Sequence, residues 1–459
     1  MSVKGLMVSV SGIRGRVGEA LTPEIVDRYA GGFGAWSLAR SMSREIVVAR
    51  DSRVSGPMFH RVVVAALQSV GATVVDLDMA PTPTVQLAVE DRHAAGGLAI
   101  TASHNPIEWN ALKFIGSAGL FLDAAESSAM RAFVGRDFSR VTWEKIGVVL
   151  RDERAIASHI DRILRLSVID VEAIRSRRFR VALDTCHGAG STIFPQLLEA
   201  LGCRVEAINA TPDGLFHRPP EPVAENLGEL CELVTRTGAA IGFATDPDVD
   251  RLALVDDSGR AIGEDYTLAL ATRVVLRRQR GPGVSNLSTS RIVDDMAAEF
   301  GSEVIRAPVG EVNVAVRMRD AGAVVGGEGN GGVILPELHL GRDAPLAAAL
   351  MLQLLVDEGP GLAAIVSRFP QYRIVKDKLD RPDGTLDSVY DTIRAAFPDG
   401  EVDTQDGLRL SWDDRWVHVR PSGTEPIVRV IAEAPSEAEA RELIARCRAP
   451  LDALVGQDL

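Results

Sequence analysis

Cysteine is scarce: Cys186, Cys203, Cys231 and Cys447 are the four in 459 residues. Their spacings match no zinc or dithiol motif and cannot form a disulfide framework, so buried free thiols in a reducing compartment are expected. No apolar run approaches membrane-spanning length, and Met1-Ser-Val-Lys-Gly5 lacks the basic-then-apolar pattern of a secretory leader. These absences predict a cytoplasmic protein with no membrane partner. Positive charge is not in excess either: 50 Lys and Arg stand against 63 Asp and Glu, a net charge of −13. That argues against nucleic acid or an anionic membrane surface as the main partner, while leaving room for a small anion held by a local arginine cluster.

What is present is an ordinary globular composition, 46% hydrophobic and 25% charged, with length for about three domains. Residues 4–16 read as a glycine-punctuated loop carrying Arg14 and Arg16. Thr22-Pro23-Glu24 supplies a cap, a first-turn proline and an acid for the N-terminal dipole of a helix. Strands are expected at 45–49, 73–77 and 97–100, with a helix over 55–69, a Pro81-Thr-Pro83 turn and a short helix between them. The same strand-helix-strand-helix-strand order recurs from 179 to 244 and from 284 to 326, with little residue identity between copies. Strands alternating with helices predict parallel or mixed sheets sandwiched by helices. From Tyr372 short strands and two helices predict a smaller α+β domain, with a linker near 370.

Each repeat ends in an unusual polar loop. Thr101-Ala-Ser-His-Asn-Pro106 presents a serine at a strand end, where open α/β sheets hold reactive groups. Ser103 has no G-x-S-x-G setting. His104 serves either chemistry or loop order, and Lys113, in an apolar run ten residues past the serine, is either a surface lysine or a phosphate-contacting group. Asp246, Asp248 and Asp250 alternate, and an extended loop would aim all three to one side. Hard oxygen donors without His or Cys suit Mg²⁺. A calcium-hand loop is excluded, because Arg251 stands where its glycine belongs and the apolar Leu252-Ala-Leu-Val255 follows. Gly327-Glu-Gly-Asn-Gly-Gly332 offers a carboxylate and an amide suited to sugar hydroxyls, and lacks both the P-loop ending and the dinucleotide glycine order. Arg420-Pro-Ser-Gly-Thr-Glu-Pro426 with Arg429 reads as a phosphate cradle or, taken alone, as an ordinary Pro-Ser-Gly turn.

These loops, with Ser11-Gly-Ile-Arg-Gly15, resemble in order those of the α-D-phosphohexomutase superfamily, across essentially the whole chain. The resemblance implies three similar mixed-sheet α/β domains plus a C-terminal α+β domain around a central cleft, divided at 1–155, 156–257, 258–369 and 370–459. It implies a phosphoserine at Ser103 and a hexose 1,6-bisphosphate intermediate. Mg²⁺ would be held by Asp246, Asp248, Asp250 and the Ser103 phosphate. Arg14 and Lys113 would flank the transferring group, with Lys113 or His104 as acid/base. Arg251 would support the loop or the phosphate, Glu328 and Asn330 would bind the sugar, and Arg420, Ser422, Gly423, Thr424 and Arg429 would grip the second phosphate. The implied partner is a hexose phosphate, and the protein is a monomer or homodimer. Asn330 and Gly332 depart from the Ser and His of many bacterial members, removing one proposed acid/base, for which His339 is a conceivable substitute. The resemblance points to glucosamine phosphate first and mannose or glucose phosphate second. A sugar phosphatase using the same serine, or a non-catalytic sugar-phosphate binder, are the competing readings.

Overall fold

Short β-branched runs and intervening amphipathic stretches form four sheets in the computed structural model, which describes residues 4–10, 12–381, 386–422 and 427–455, with side chains to 452. The first sheet holds β1 (Met7–Ser9), β2 (Gly12–Arg16), β3 (Glu45–Arg50), β4 (Thr73–Met79), β5 (Gly96–Ile100), β6 (Trp109–Ile115) and β7 (Val149–Arg151), ordered β1-β2-β6-β5-β3-β4-β7. The second holds β8 (Arg180–Asp184), β9 (Arg204–Ile208), β10 (Ile241–Thr245) and β11 (Leu252–Val255), ordered β11-β10-β8-β9. The third holds β12 (Gly283–Asn286), β13 (Val304–Ala307), β14 (Val325–Glu328) and β15 (Gly332–Ile334), ordered β13-β12-β14-β15.

One plan runs through all three. Three parallel strands lie in the order third-first-second, and the chain then folds back as an antiparallel hairpin on the third strand. The hairpins are β5-β6, β10-β11 and β14-β15. The first two turns carry Ser103 and the aspartates, and Glu328 ends the strand that leads into the third, so the three polar loops are one structural position used three times.

Helices cover both faces of the first sheet, and the strand alternation divides accordingly: Ile46 and Val48 enter one core, Val47 and Ala49 the other. The second and third units share a core around the helix Ala344–Glu358, whose residues from Ala344 to Leu355 are all buried. The fourth sheet is antiparallel, with β16 (Arg373–Asp380), β17 (Glu401–Asp403), β18 (Leu408–Ser411), β19 (Trp416–Pro421) and β20 (Ile427–Ala434) in the order β16-β20-β19-β18-β17. Its helices Asp387–Ala396 and Glu437–Val455 close a separate core. The expected fold class holds.

Two local expectations do not. The stretch read as a loop at 4–16 contains the β1-β2 hairpin, and Arg14 lies on a strand, opposite Ala111. The Pro81-Thr-Pro83 turn is instead the start of the helix Thr82–Asp91, because a proline in the first helical turn loses no hydrogen bond. No helix among the described residues is long and apolar enough to cross a membrane.

Candidate active site

The β5-β6 turn holds Ser103 at φ +48°, a left-handed backbone that disfavours any residue with a Cβ. The surroundings over-determine it. Arg53, fully buried, donates to the carbonyls of Ser103 (2.6 Å), Asn105 (2.6 Å), Pro106 (2.7 Å) and Trp109 (2.9 Å). Its Nε pairs with Asp51 Oδ2 at 3.1 Å, and Thr101 Oγ1 donates to that same oxygen at 2.6 Å while accepting from Ser103 N at 3.0 Å. Neither Asp51 nor Arg53 was a sequence candidate. Their only signal was a charged Arg50-Asp-Ser-Arg53 segment at a strand end.

Asp246, Asp248 and Asp250 sit in the β10-β11 turn, and one carboxylate oxygen from each lies within 4.8 Å of the others. The convergence does not come from an extended loop, as the spacing suggested. The chain is folded on itself: Val249 is at φ +69°, and its N–H donates to Asp246 Oδ1 at 3.1 Å. Buried Arg218 braces the end of β10, bonding Asp184 Oδ2 (2.8 Å) and the Thr245 carbonyl (2.7 Å). Ser103 Oγ donates to Asp246 Oδ2 at 2.8 Å. Lys113, on β6, reaches Asp248 Oδ2 at 2.6 Å and Asp250 Oδ2 at 3.5 Å, and Thr82 Oγ1 donates to Asp248 at 2.8 Å.

Burial and repulsion from Asp250 and Asp248 push the Asp246 carboxyl far above its ordinary value. Asp248 suffers the same burial, but the Lys113 charge and its hydrogen bonds bring it below the ordinary range. Burial acts to neutralise Lys113, and its two aspartates outweigh that and hold it charged. Asp248 Oδ1 and Asp250 Oδ1 are buried without a hydrogen-bond partner among the described residues. Crowded carboxylates with orphan hard oxygens fit a divalent cation such as Mg²⁺.

Sheet register sets Arg14 and Lys113 on one face, since Arg14 pairs with Ala111, two residues before Lys113. Arg14 donates to Asn105 Oδ1 at 3.1 Å, and His104 Nδ1 stands 3.3 Å from Ser103 Oγ. The Arg251 charge, then burial and Arg14, hold His104 well below the usual histidine range, so it is neutral. Arg251 also lies 3.5 Å from Glu221 and 3.7 Å from Asp250.

The third hairpin is fixed rather than pliable. Glu328 accepts from Asn286 Nδ2 (2.8 Å), Gly310 N (3.1 Å), Asn330 Nδ2 (3.3 Å) and Arg342 (2.6 Å). Burial raises its carboxyl, but Arg342 and Asn286 bring it below the ordinary value. Gly331 is at φ +88°, and a Cβ there would meet the Leu252 carbonyl at 2.5 Å. Its own carbonyl accepts from Leu252 N at 3.0 Å, joining the third hairpin to the second. His339 is no stand-in for the missing histidine: its Nδ1 accepts from Gly341 N (3.2 Å) and its Nε2 donates to buried Asp343 (3.0 Å), so both ring nitrogens are committed to structure.

Arg420 and Arg429 lie on the fourth sheet, directly opposite each other across β19 and β20, and Lys378 is opposite Arg429 on β16. Cations in adjacent register repel, which an anion would relieve. Arg420 bonds Asp406 at 2.8 Å, and the same Asp406 oxygen accepts from Val309 N at 3.1 Å, tying this sheet to the third unit. Ser422 N donates to the Ile427 carbonyl at 2.8 Å across the loop mouth. The candidates Gly423 and Thr424 lie outside the described residues.

The fold and this set of loops define a class, and comparison with known proteins agrees. The chain belongs to the phosphoglucomutase/phosphomannomutase family: it matches α/β/α domain I over residues 6–139, domain II over 157–259, domain III over 263–372 and the C-terminal domain over 376–449. It is 40% identical to a phosphoglucomutase/phosphomannomutase of Thermococcus kodakarensis, over 96% of this chain and 97% of that one. It is 38% identical to a probable phosphoglucosamine mutase of Methanopyrus kandleri, over 96% of each chain. Among solved structures, a phosphoglucomutase/phosphomannomutase family protein of Burkholderia thailandensis superposes with a TM-score of 0.84 at 27% identity, covering 98% of this chain and 97% of that one.

Proposed function

We propose that the protein is a phosphohexomutase that interconverts hexose 6-phosphate and hexose 1-phosphate through phosphorylated Ser103 and a hexose 1,6-bisphosphate, with glucosamine phosphate as its substrate. The observation that carries this reading is the contact of Ser103 Oγ with the aspartate cluster, at 2.8 Å from Asp246. A serine whose hydroxyl donates to one of three clustered, buried carboxylates is well placed as a phosphoryl carrier beside a metal.

Asp246, Asp248 and Asp250, with the Ser103 phosphate, would hold Mg²⁺, which when bound neutralises phosphoryl charge. The protein's own groups do the rest. In the first half-reaction the Ser103 Oγ–phosphorus bond breaks and a bond forms from phosphorus to the free sugar hydroxyl. Neutral His104 can take that hydroxyl's proton. Lys113, held charged by its aspartates, would stabilise the transferring oxygens and give a proton to Ser103 Oγ as its bond to phosphorus breaks, taking it back when the phosphoryl group returns. Arg14 faces the same side. Glu328 and Asn330 would orient the sugar hydroxyls, with Arg251 at the rim. Arg420, Ser422 and Arg429, with Gly423 and Thr424, would hold the phosphate that is not transferring. The bisphosphate then turns over and returns its other phosphoryl group to Ser103, so no phosphate is consumed.

The Thermococcus relative favours mannose and glucose phosphates as the second reading. The test is a coupled assay with Mg²⁺ and a trace of hexose bisphosphate, presenting glucosamine 6-phosphate, glucose 1-phosphate and mannose 1-phosphate in parallel. Interconversion of one or more is expected, with glucosamine 6-phosphate preferred. Ser103→Ala should abolish it while keeping sugar-phosphate binding. Unchanged turnover in that variant, or release of inorganic phosphate without isomerisation, would overturn the proposal.

A further inference from the structure

One buried guanidinium joins two of the site's loops. Arg342 lies between β15 and the helix Ala344–Glu358 and is 7% exposed. Its Nη2 reaches Asp250 Oδ2 at 2.7 Å, its Nη1 reaches Glu328 Oε2 at 2.6 Å, and its Nε reaches Glu311 Oε2 at 3.1 Å. All three acceptors are buried. Asp250 belongs to the aspartate turn and Glu328 to the third hairpin. Among the described residues no other side chain hydrogen-bonds both.

The main chain beneath this residue is also fixed. Arg342 N donates to Glu311 Oε1 at 3.2 Å. The next residue, Asp343, caps the following helix through Leu346 N (2.8 Å) and accepts from His159 (2.7 Å) and His339 (3.0 Å). His159 in turn meets Thr84 at 2.9 Å, so three units clamp the base of the Arg342 side chain.

The stem of Arg342 runs through the space beside Gly332. A Cβ at position 332 would lie 2.2 Å from Arg342 Cδ and 2.9 Å from its Cγ. Glycine at 332 and arginine at 342 are therefore one device, because any side chain at 332 displaces the guanidinium.

We infer that Arg342 is a positioning residue that locks the aspartate turn and the third hairpin into one rigid unit, so that divalent cation and sugar phosphate bind cooperatively. The inference rests on the functional reading above. A planar fork fixes two carboxylates relative to each other in distance and plane, which a flexible ammonium cannot do. With Asp250 Oδ2 held by the fork, its Oδ1, which accepts no hydrogen bond among the described residues and has Arg251 Nε 3.7 Å away, remains for a cation. A cation that re-aims the Asp250 carboxylate pulls on the fork and so on Glu328, and a sugar that re-aims Glu328 pulls back by the same factor.

The test uses the full chain carrying Ser103→Ala, so that nothing turns over. Mn²⁺ affinity is measured by electron paramagnetic resonance with and without saturating glucosamine 6-phosphate or, in parallel, glucose 1-phosphate. The Ser103→Ala parent should bind Mn²⁺ about fivefold or more tightly with sugar phosphate present. Adding Arg342→Met should reduce that ratio to about one while Mn²⁺ still binds, and Arg342→Lys should fail to restore it. Gly332→Ala should reproduce the loss with Arg342 in place, and combining it with Arg342→Met should cost nothing further. If Arg342→Met does not fold, Gly332→Ala and Arg342→Lys carry the test. Full coupling in either of these or in Arg342→Met, or additive losses in the double variant, would overturn the inference alone. A parent that binds Mn²⁺ but neither sugar phosphate would overturn the functional reading and the inference with it.

Discussion

The first parallel strand of the first α/β unit runs out into Asp51, one residue past β3, and that of the third ends at Asn286, and both residues fold the next turn in the same way. Asp51 Oδ1 accepts from Arg53 N at 3.0 Å, and Asn286 Oδ1 accepts from Ser288 N at 2.9 Å. Each also accepts from a threonine, Thr101 at 2.6 Å and Thr289 at 3.0 Å, which itself accepts from a hairpin backbone N–H, that of Ser103 or Gly329. The chemistry then diverges. In the first unit the acid pairs with Arg53, whose remaining donors are spent on backbone carbonyls, so a neutralised frame presents an uncharged serine. In the third unit the hairpin itself supplies a carboxylate, Glu328, and the strand end is an amide that donates to it. An acid is kept where an arginine cancels it, and an amide stands where an acid would face another acid. The second unit follows the first, with Asp184 bonding Cys186 N (2.8 Å) and Arg218.

Breaking the first frame should have the largest effect. Arg53→Met leaves Asp51 buried without its cation and the serine-turn carbonyls unsatisfied, a loss of about 3–5 kcal/mol in chemical denaturation. Folded protein should also lose about 100-fold in Ser103 phosphoryl transfer, because the turn is no longer held in register. Arg218→Met should cost similar stability but weaken Mn²⁺ binding instead, and identical phenotypes for the two would remove the distinction between frames.

Writing the first unit's residue into the third comes next. Asn286→Asp sets a second buried carboxyl against Glu328 and deletes one of the donors that keeps it ionised. The cost should be about 2–3 kcal/mol at pH 8. Glu328 is depressed in the native fold, so its contribution is present above the ordinary glutamate value of 4.5 and is lost as pH falls below it. The variant raises Glu328, so its deficit relative to wild type should grow from acid towards pH 8. Urea denaturation at pH 5 and pH 8 reads this, and a deficit larger at pH 5 would contradict it.

The threonine pair should give the smallest effects. Thr101→Val breaks a hydrogen bond to a charged group and should cost about 2 kcal/mol, whereas Thr289→Val breaks one to an amide and should cost about 1 kcal/mol. The first should slow phosphoryl transfer and the second should raise KM for the sugar phosphate. The reverse order of stabilities would show that Asp51 is not the charged member.

Much of this was legible in order along the chain. Ser103, the aspartates and the Glu328 loop stand out because polar residues of fixed types interrupt buried strands. Their equivalence as hairpin turns was not legible, since polar turns of different length and composition hide the fact that β6, β11 and β15 each pair back on the strand just before them. The framing arginines were missed for a related reason. Arg53, Arg218 and Arg342 act on carbonyls and carboxylates far away in sequence, and a buried arginine looks like a surface one until the chain closes around it. The helix Ala344–Glu358 escaped notice because it is apolar on nearly every side, which removes the 3.6-residue signal. The aspartates were assigned together for the wrong reason: a left-handed Val249, not strand alternation, gathers them.

The central claim is that Ser103 carries the phosphoryl group to the sugar. Protein radiolabelled on Ser103 phosphate should be mixed with unlabelled glucosamine 6-phosphate and Mg²⁺, then quenched over a time course. Label should leave Ser103 and reach hexose bisphosphate before hexose monophosphate, with Asp248→Ala arresting the transfer. Label that stays on Ser103, or that first emerges as inorganic phosphate, would contradict the account.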